Sequence, residues 1–190
     1  MRSGEIPTNP SVLNTTVLSN FGYIDLLWVI TGISGICTVP LVREELINGV
    51  VDHPYLESAL ETLDDEILIA PISKAVSDRE TVVKNQLDRG EAQAFALADI
   101  RDGRLLTDDG DARSYAKGHD VTVVGSVGVL LAAMDAGKID ESTADEWLST
   151  WIDDIGYHVP YRKISAYRGL QSRGKYIPDM FWNSYTRSFS

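Results

Sequence analysis

The chain has 190 residues, 44% of them hydrophobic and 24% charged, with a net charge of −11 at pH 7. Those fractions fit an ordinary globular core and exclude disorder along most of the length, while the charge argues against a nucleic-acid partner, because a polyanion repels an acidic surface. The length suits one well-buried domain with a short appendage, expected here as a domain over residues 10–157 and an extension over 158–190.

Two features temper the charge argument. Aspartates far outnumber lysines, a composition that resembles proteins from salt-loving cells, where acidic surfaces are general and say little about the ligand. The charge is also uneven: from Pro160 onward, Arg162, Lys163, Arg168, Arg173, Lys175 and Arg187 face Asp179 alone, a net of +5 that leaves −16 elsewhere. The chain opens with no basic start, apolar stretch and small-residue cleavage site, so a cytoplasmic protein is expected. The apolar run from Tyr23 to Val42 is interrupted by Asp25, Gly32, Gly35 and Pro40 and reads as helix, turn and buried strand rather than as a membrane span. Cys37, the single cysteine, lies in that run and reads as a buried reduced thiol.

In chain order, Ser11 to Asn14 reads as a short buried strand. Leu18, Phe21, Leu26, Leu27 and Ile30 then recur at helical intervals, with Thr15 or Thr16 as the expected cap. Gly35 to Val39 is a second strand. Pro40 suits the first position of a helix that Gly49 closes. A helix from His53-Pro54 runs through Glu61, a strand covers Ile67 to Ala70, and a polar helix lies near Asp78 to Gln86. Glu91 begins a strong helix, EAQAFALADI, ending around Gly103. Arg104 to Thr107 is a strand, Asp111 to Lys117 a short helix, and Val121 to Val124 a strand. Ser126 to Ala136 is an apolar helix, and Asp140 to Asp154 an amphipathic one with Trp147 and Trp151 on one face. Strands alternating with helices at this spacing predict an α/β fold with a mostly parallel sheet, whose ligands gather beyond the carboxyl ends of the strands.

Several polar groups fall at such ends: Asn14 after the first strand, Glu45 one turn into the helix after the second, Glu91 at a helix start, and Asp108, Asp109 and Asp111 after RLL. Carboxylates converging from separate strands repel one another unless a cation is present, and oxygen donors suit Mg²⁺ or Mn²⁺. Each residue also has a simpler reading. Asp88 and Glu91 have the spacing of a capping box, Glu44 and Glu45 that of a solvated helix face, and the aspartates that of turn formers or N-caps. Other chemistries lack support. Gly125-Ser126-Val127-Gly128 has no dinucleotide or phosphate-loop spacing, no two of His53, His119 and His158 have ligand spacing, and no nucleophile elbow supports a serine triad.

The stretch LDRGEAQAFALADIRDGRLLTDDGDARSYAKGHDVTVVGSVGVLLAAMDAGKI resembles the PIN-domain proteins, in particular the branch with a GEAEAIALA signature followed by a TDD-like element and a GTLGVL-like helix. VLNTTVLSNFGYIDLL is similar to the family's opening strand and helix, and VPLVREEL to its second acidic element, so the likeness runs over about residues 10 to 157. The resemblance implies a three-layer α/β/α fold and a ribonuclease that uses Mg²⁺ or Mn²⁺, either a toxin restrained by an antitoxin or an RNA-processing enzyme. Carried onto this sequence, it implies Glu45, Glu91 and Asp109 as catalytic metal ligands, Asp111 as an auxiliary acid and Thr107 as the threonine of the T-x-D element. Asn14 stands where the family's opening strand ends in aspartate. An amide oxygen still coordinates a cation but adds no charge, which implies weaker metal binding. Gln93 likewise replaces the second glutamate of GEAEA. A catalytically inactive RNA- or protein-binding module with the same fold is the alternative, and an enzyme acting on another phosphate ester a third.

The extension past this likeness carries Tyr161, Tyr167, Tyr176, Phe181, Trp182, Tyr185 and Phe189 among its basic residues. Basic side chains with interleaved aromatics suit single-stranded RNA, and Arg162, Lys163, Arg168, Arg173 and Lys175 are the candidate contacts. The same residues equally suit docking onto the protein's own acidic body or onto a second subunit, in keeping with a homodimer.

Overall fold

Five short strands form one sheet: β1 (Ser11–Leu13), β2 (Ile36–Thr38), β3 (Leu68–Ile69), β4 (Arg104–Leu106) and β5 (Thr122–Val124). All pairs are parallel, in the order β3-β2-β1-β4-β5. The computed structural model describes residues 5–171. These divide into two compact units, one comprising the chain up to Thr31 with Gly35–Ser126, the other Gly32–Ser34 with the chain from Val127.

The first unit holds the sheet and the helices α1 (Thr15–Tyr23), α2 (Leu27–Thr31), α3 (Pro40–Gly49), α4 (Leu56–Glu66), α5 (Lys74–Val83), α6 (Arg89–Ile100) and α7 (Gly110–Gly118). The chain grows outward from β1 to β2 and β3, then crosses back to β4 and β5. Right-handed crossovers therefore put the helices preceding β3 on one face and α5, α6 and α7 on the other. Within each layer, α1 meets α2 and α4, and α6 meets α5, α7, β1 and β4, while α3 meets both α4 and α6. This is the α/β fold with a parallel sheet that the sequence pattern predicts and the three-layer form that the resemblance implies. The reversal of strand order between β1 and β4 makes their carboxyl ends a switch point, where a crevice opens beyond a parallel sheet.

Burial explains why the strands are apolar on both faces. Val12, Leu13, Cys37, Leu105 and Leu106 are fully buried, as a parallel sheet covered on both sides requires. Helix α6 is buried from Gly90 through Ala98, and small alanines let it lie close to β1 and β4 while Phe95 fills the remaining space. Burial pushes the Cys37 thiol up to about 12, so it remains protonated.

Several boundaries differ from expectation. The helix expected from Thr15 to Ile30 breaks into α1 and α2, because Asp25 adopts a left-handed φ of 55° between them. Asn14 caps α1 in place of Thr15 or Thr16. The polar helix α5 starts earlier, at Lys74, capped by the Ser73 side chain. Asp109 caps α7.

The second unit contains α8 (Ser126–Asp135, from Val127 on), α9 (Glu141–Asp154) and α10 (Ser165–Gln171). Asp140 caps α9 through the Thr143 N–H, and Ala144, Leu148 and Trp151 form its buried stripe, with Trp147 only half-buried. The start of the basic extension is tied down here. Arg162 pairs with Asp153 at 2.5 Å, Lys163 with Asp145 at 2.9 Å, and Arg168 with Asp135 at 3.6 Å. Ile164 is fully buried, and its N–H donates to Asp145. Arg173, Lys175, Arg187 and the aromatics from Tyr176 onward lie outside the described residues. Among the described residues no helix is long and apolar enough to cross a membrane.

Candidate functional site

The carboxyl ends of β1 and β4 are joined by hydrogen bonds between side chains that follow them. Asn14 is 1% exposed, and its backbone N–H continues the ladder to the Leu106 carbonyl. Its side chain is used at both ends: Oδ1 accepts from the Thr15 N–H at 2.8 Å, and Nδ2 donates to Thr107 Oγ1 at 3.1 Å. Thr107 Oγ1 also accepts from the Asp109 N–H at 3.2 Å. Two acceptances fill its lone pairs, so its own proton goes to Thr16 Oγ1, 3.3 Å away. Thr16 in turn accepts from the Asp108 N–H at 3.0 Å. The buried Thr107 hydroxyl and Asn14 amide, with the half-buried Thr16 hydroxyl, thus lock the loop after β4 against the start of α1.

Glu45 enters this network from α3. Its Oε2 accepts from the Thr15 hydroxyl at 2.5 Å and its Oε1 from the Gly90 N–H at 2.8 Å, so it links α1, α3 and α6. Glu91 follows Gly90 and is 9% exposed. Its Oε2 accepts from the Asp88 N–H at 3.3 Å, so the capping-box reading is realised in the geometry. Burial, reinforced by the charge of Asp109 and further by Asp88 and Glu45, raises its pKa to about 7, with the Asp88 N–H pulling the other way. The half-buried Asp109 accepts from the Ala112 N–H at 2.8 Å, which leaves its second oxygen outside the cap. Acids from α3, α6 and the loop after β4 therefore share one electrostatic neighbourhood.

Each carboxylate is nonetheless turned toward a protein donor. Among the described residues no group of three or more His, Cys, Asp or Glu side chains is arranged to hold a metal ion. Each of Glu45, Glu91 and Asp109 keeps lone pairs beyond these bonds, so its present contacts leave capacity for a further ligand.

The remaining candidates separate clearly. Asp111 is exposed in the first turn of α7. Asp108, which the sequence groups with turn-forming aspartates, is turned inward. Its carboxylate accepts from the Ser126 N–H and from Asn20 Nδ2, each at 2.9 Å, and from the Ser126 hydroxyl at 2.5 Å. Gln93 is a structural bridge, accepting from the Leu41 N–H at 3.1 Å and donating to Glu80 at 3.0 Å. Sequence reasoning offers Thr15 and Thr16 only as helix caps and does not point to Asn20, Gly90 or Ser126 as site residues. The Thr-Thr pair directly after Asn14 and the glycine directly before Glu91 were the available signals. His119 is exposed and stacks on Tyr115 with ring centroids 4.2 Å apart, away from any ligand role.

A five-stranded parallel sheet flanked by helices is an α/β/α architecture of the kind a nuclease-like PIN fold has. The chain belongs to the PIN-domain family: the family model DUF3368, a PIN domain, matches residues 10–170. No curated protein and no solved structure matches it.

Proposed function

We propose that the protein is a ribonuclease of the GEAEA-type PIN branch that hydrolyses RNA phosphodiester bonds with Mg²⁺ or Mn²⁺. The observation that carries this reading is Glu91, a carboxyl buried beside Asp109 and Glu45 and raised to about 7. Gathering like charges out of water is unfavourable unless a cation compensates, and an all-oxygen donor set suits a hard divalent ion. In this reading Glu45, Glu91 and Asp109 hold the ion, and Asn14 Oδ1, which keeps a lone pair beyond its bond to Thr15, adds a neutral oxygen. Bound there, the ion supplies Lewis-acid stabilisation of the scissile phosphate and activates a water. Asp108, Thr16 and Thr107 hold the loop that presents Asp109, and Asp111 stays outside the coordinating set.

In this reading the basic chain end contacts RNA phosphates. The ion pairs of Arg162, Lys163 and Arg168 leave their basic partners exposed, and exposed pairs are worth about 0–1 kcal/mol each, so phosphates can compete for them. The test is RNA cleavage with Mn²⁺ by the wild type and by Asp109→Asn, which retains an oxygen to cap α7. Loss of cutting in the variant is expected. Equal cutting by both, or by neither over a wide salt range, rejects the proposal.

The two-ended engagement of Asn14 favours a second reading, an RNA- or protein-binding module that keeps the fold without the chemistry. That reading requires RNA affinity without cutting and weak Mg²⁺ binding in calorimetry.

A further inference from the structure

We infer that Gly90, together with Thr15, is a positioning residue for Glu45, and that glycine occupies position 90 because a side chain there displaces the Glu45 carboxylate. The inference takes its functional sense from the metal-site reading above. Glycine within a helix is less stable than alanine, and Gly90 lies inside α6 without a left-handed φ, so local conformation gives no reason for it. The reason is tertiary. A Cβ at position 90 overlaps both carboxylate oxygens of Glu45 and its Cδ. Those atoms are the far end of a flexible side chain, so an alanine moves the carboxylate and leaves the fold intact.

The bare backbone also lets the Gly90 N–H reach Glu45 Oε1 at 2.8 Å. This is one of the first-turn donors that a helix leaves without an internal partner, and the positive end of the helix dipole favours a carboxylate there. Thr15 holds Oε2 from α1 at 2.5 Å. One oxygen is thus fixed by α6 and the other by α1, while Glu45 itself comes from α3. A carboxylate has about four lone-pair sites, so two donors leave it able to meet a cation. Gly90 is adjacent to Glu91, and the same first turn of α6 therefore orients one candidate ligand and carries another.

A metal-free cycle tests the contact. Gly90→Ala is expected to raise the melting temperature by about 2–4 °C in a Glu45→Ala background, where helix propensity acts alone, and to raise it less or lower it with Glu45 present. Equal shifts in both backgrounds overturn the inference. Calorimetric titration with MnCl₂ then tests positioning: Gly90→Ala should bind at least tenfold more weakly than the wild type. Adding Glu45→Asp, one methylene shorter, should restore part of that loss. Wild-type affinity in Gly90→Ala overturns the positioning role. A wild type that binds no Mn²⁺ while the metal-free cycle stays coupled rejects the metal reading, and the positioning role with it, but leaves the contact standing.

Discussion

Glu91 offers a quantitative test that is independent of RNA. Its pKa is raised from an ordinary 4.5 to about 7, first by burial and then by Asp109. The folded protein therefore holds a proton that the unfolded chain has released between those values. Stability falls wherever the folded state binds more protons as pH rises, so the contribution is fully present below 4.5 and lost as pH climbs through 7. At about 1.4 kcal/mol per pH unit, ionised Glu91 costs roughly 3 kcal/mol at pH 8. About 2.5 kcal/mol of that is lost between pH 5 and pH 8, and for a chain of this size each kcal/mol moves the melting temperature by about 2–4 °C, so this group lowers it by about 5–10 °C over that range.

Glu91→Gln removes the charge and retains an oxygen for the Asp88 N–H bond. Its melting temperature should therefore exceed that of the wild type at pH 8 and converge with it near pH 5. The assay is thermal unfolding of both proteins across that range, in chelator and again with Mn²⁺. Mn²⁺ should raise the wild type at pH 8, by about 2.7 kcal/mol at a hundredfold excess over its dissociation constant, and raise the variant far less. Parallel pH profiles in chelator refute the burial argument. A converging pair that Mn²⁺ moves equally refutes Glu91 as a ligand while leaving the burial argument intact.

Three further perturbations probe separate parts of the structure. Asn14→Asp adds a carboxylate among Glu45, Glu91 and Asp109 and forces the Thr107 hydroxyl to turn and donate to it; the metal-free protein should melt lower and bind Mn²⁺ more tightly, and unchanged affinity in calorimetry would count against the charge-deficit reading. Asp108→Ala removes the acceptor of the Ser126 N–H and one acceptor of the Asn20 amide, which keeps its bond to Ser126 Oγ, and should cost about 1–3 kcal/mol in urea unfolding, whereas a cost under about 0.5 kcal/mol, the range of ordinary surface positions, removes Asp108 from this network. Cys37, fully buried and raised to about 12, should resist alkylation in the native protein at pH 8 and react on unfolding; native labelling at the rate of a free thiol contradicts its placement.

The fold was legible because its signals are local. Each strand is a short apolar run ended by a polar or small residue, and Pro40 and Gly49 mark both ends of α3. What the sequence hid depends on partners far along the chain. Asp108 looks like a loop aspartate beside two others, and only the fold brings Asn20, 88 residues away, and Ser126, 18 residues away, to its carboxylate. The choice of Asp109 as cap turns on where α7 starts, and a shift of one or two residues reassigns the role among Asp108, Asp109 and Asp111. The break at Asp25 was hidden for a different reason, since apolar residues recur at helical intervals on both sides of a left-handed aspartate.

The acids themselves resist reading in isolation, because a cap and a ligand are the same residue type at the same end of a strand. Glu91 meets both descriptions: it accepts the Asp88 N–H as a capping residue does, yet a cap at the surface would not be buried and raised to about 7. Burial among other acids is the property a surface cap lacks, and it emerges only when α3, α6 and the loop after β4 converge. Asn14 fits the same reasoning. In a neighbourhood already crowded with carboxylates, an amide at the end of β1 donates to Thr107 without adding a charge. The metal-free fold gains from that neutrality, and a cation bound there would lose by it. Whether Asn14→Asp exchanges stability for Mn²⁺ affinity therefore measures how far this site is set toward folding or toward chemistry.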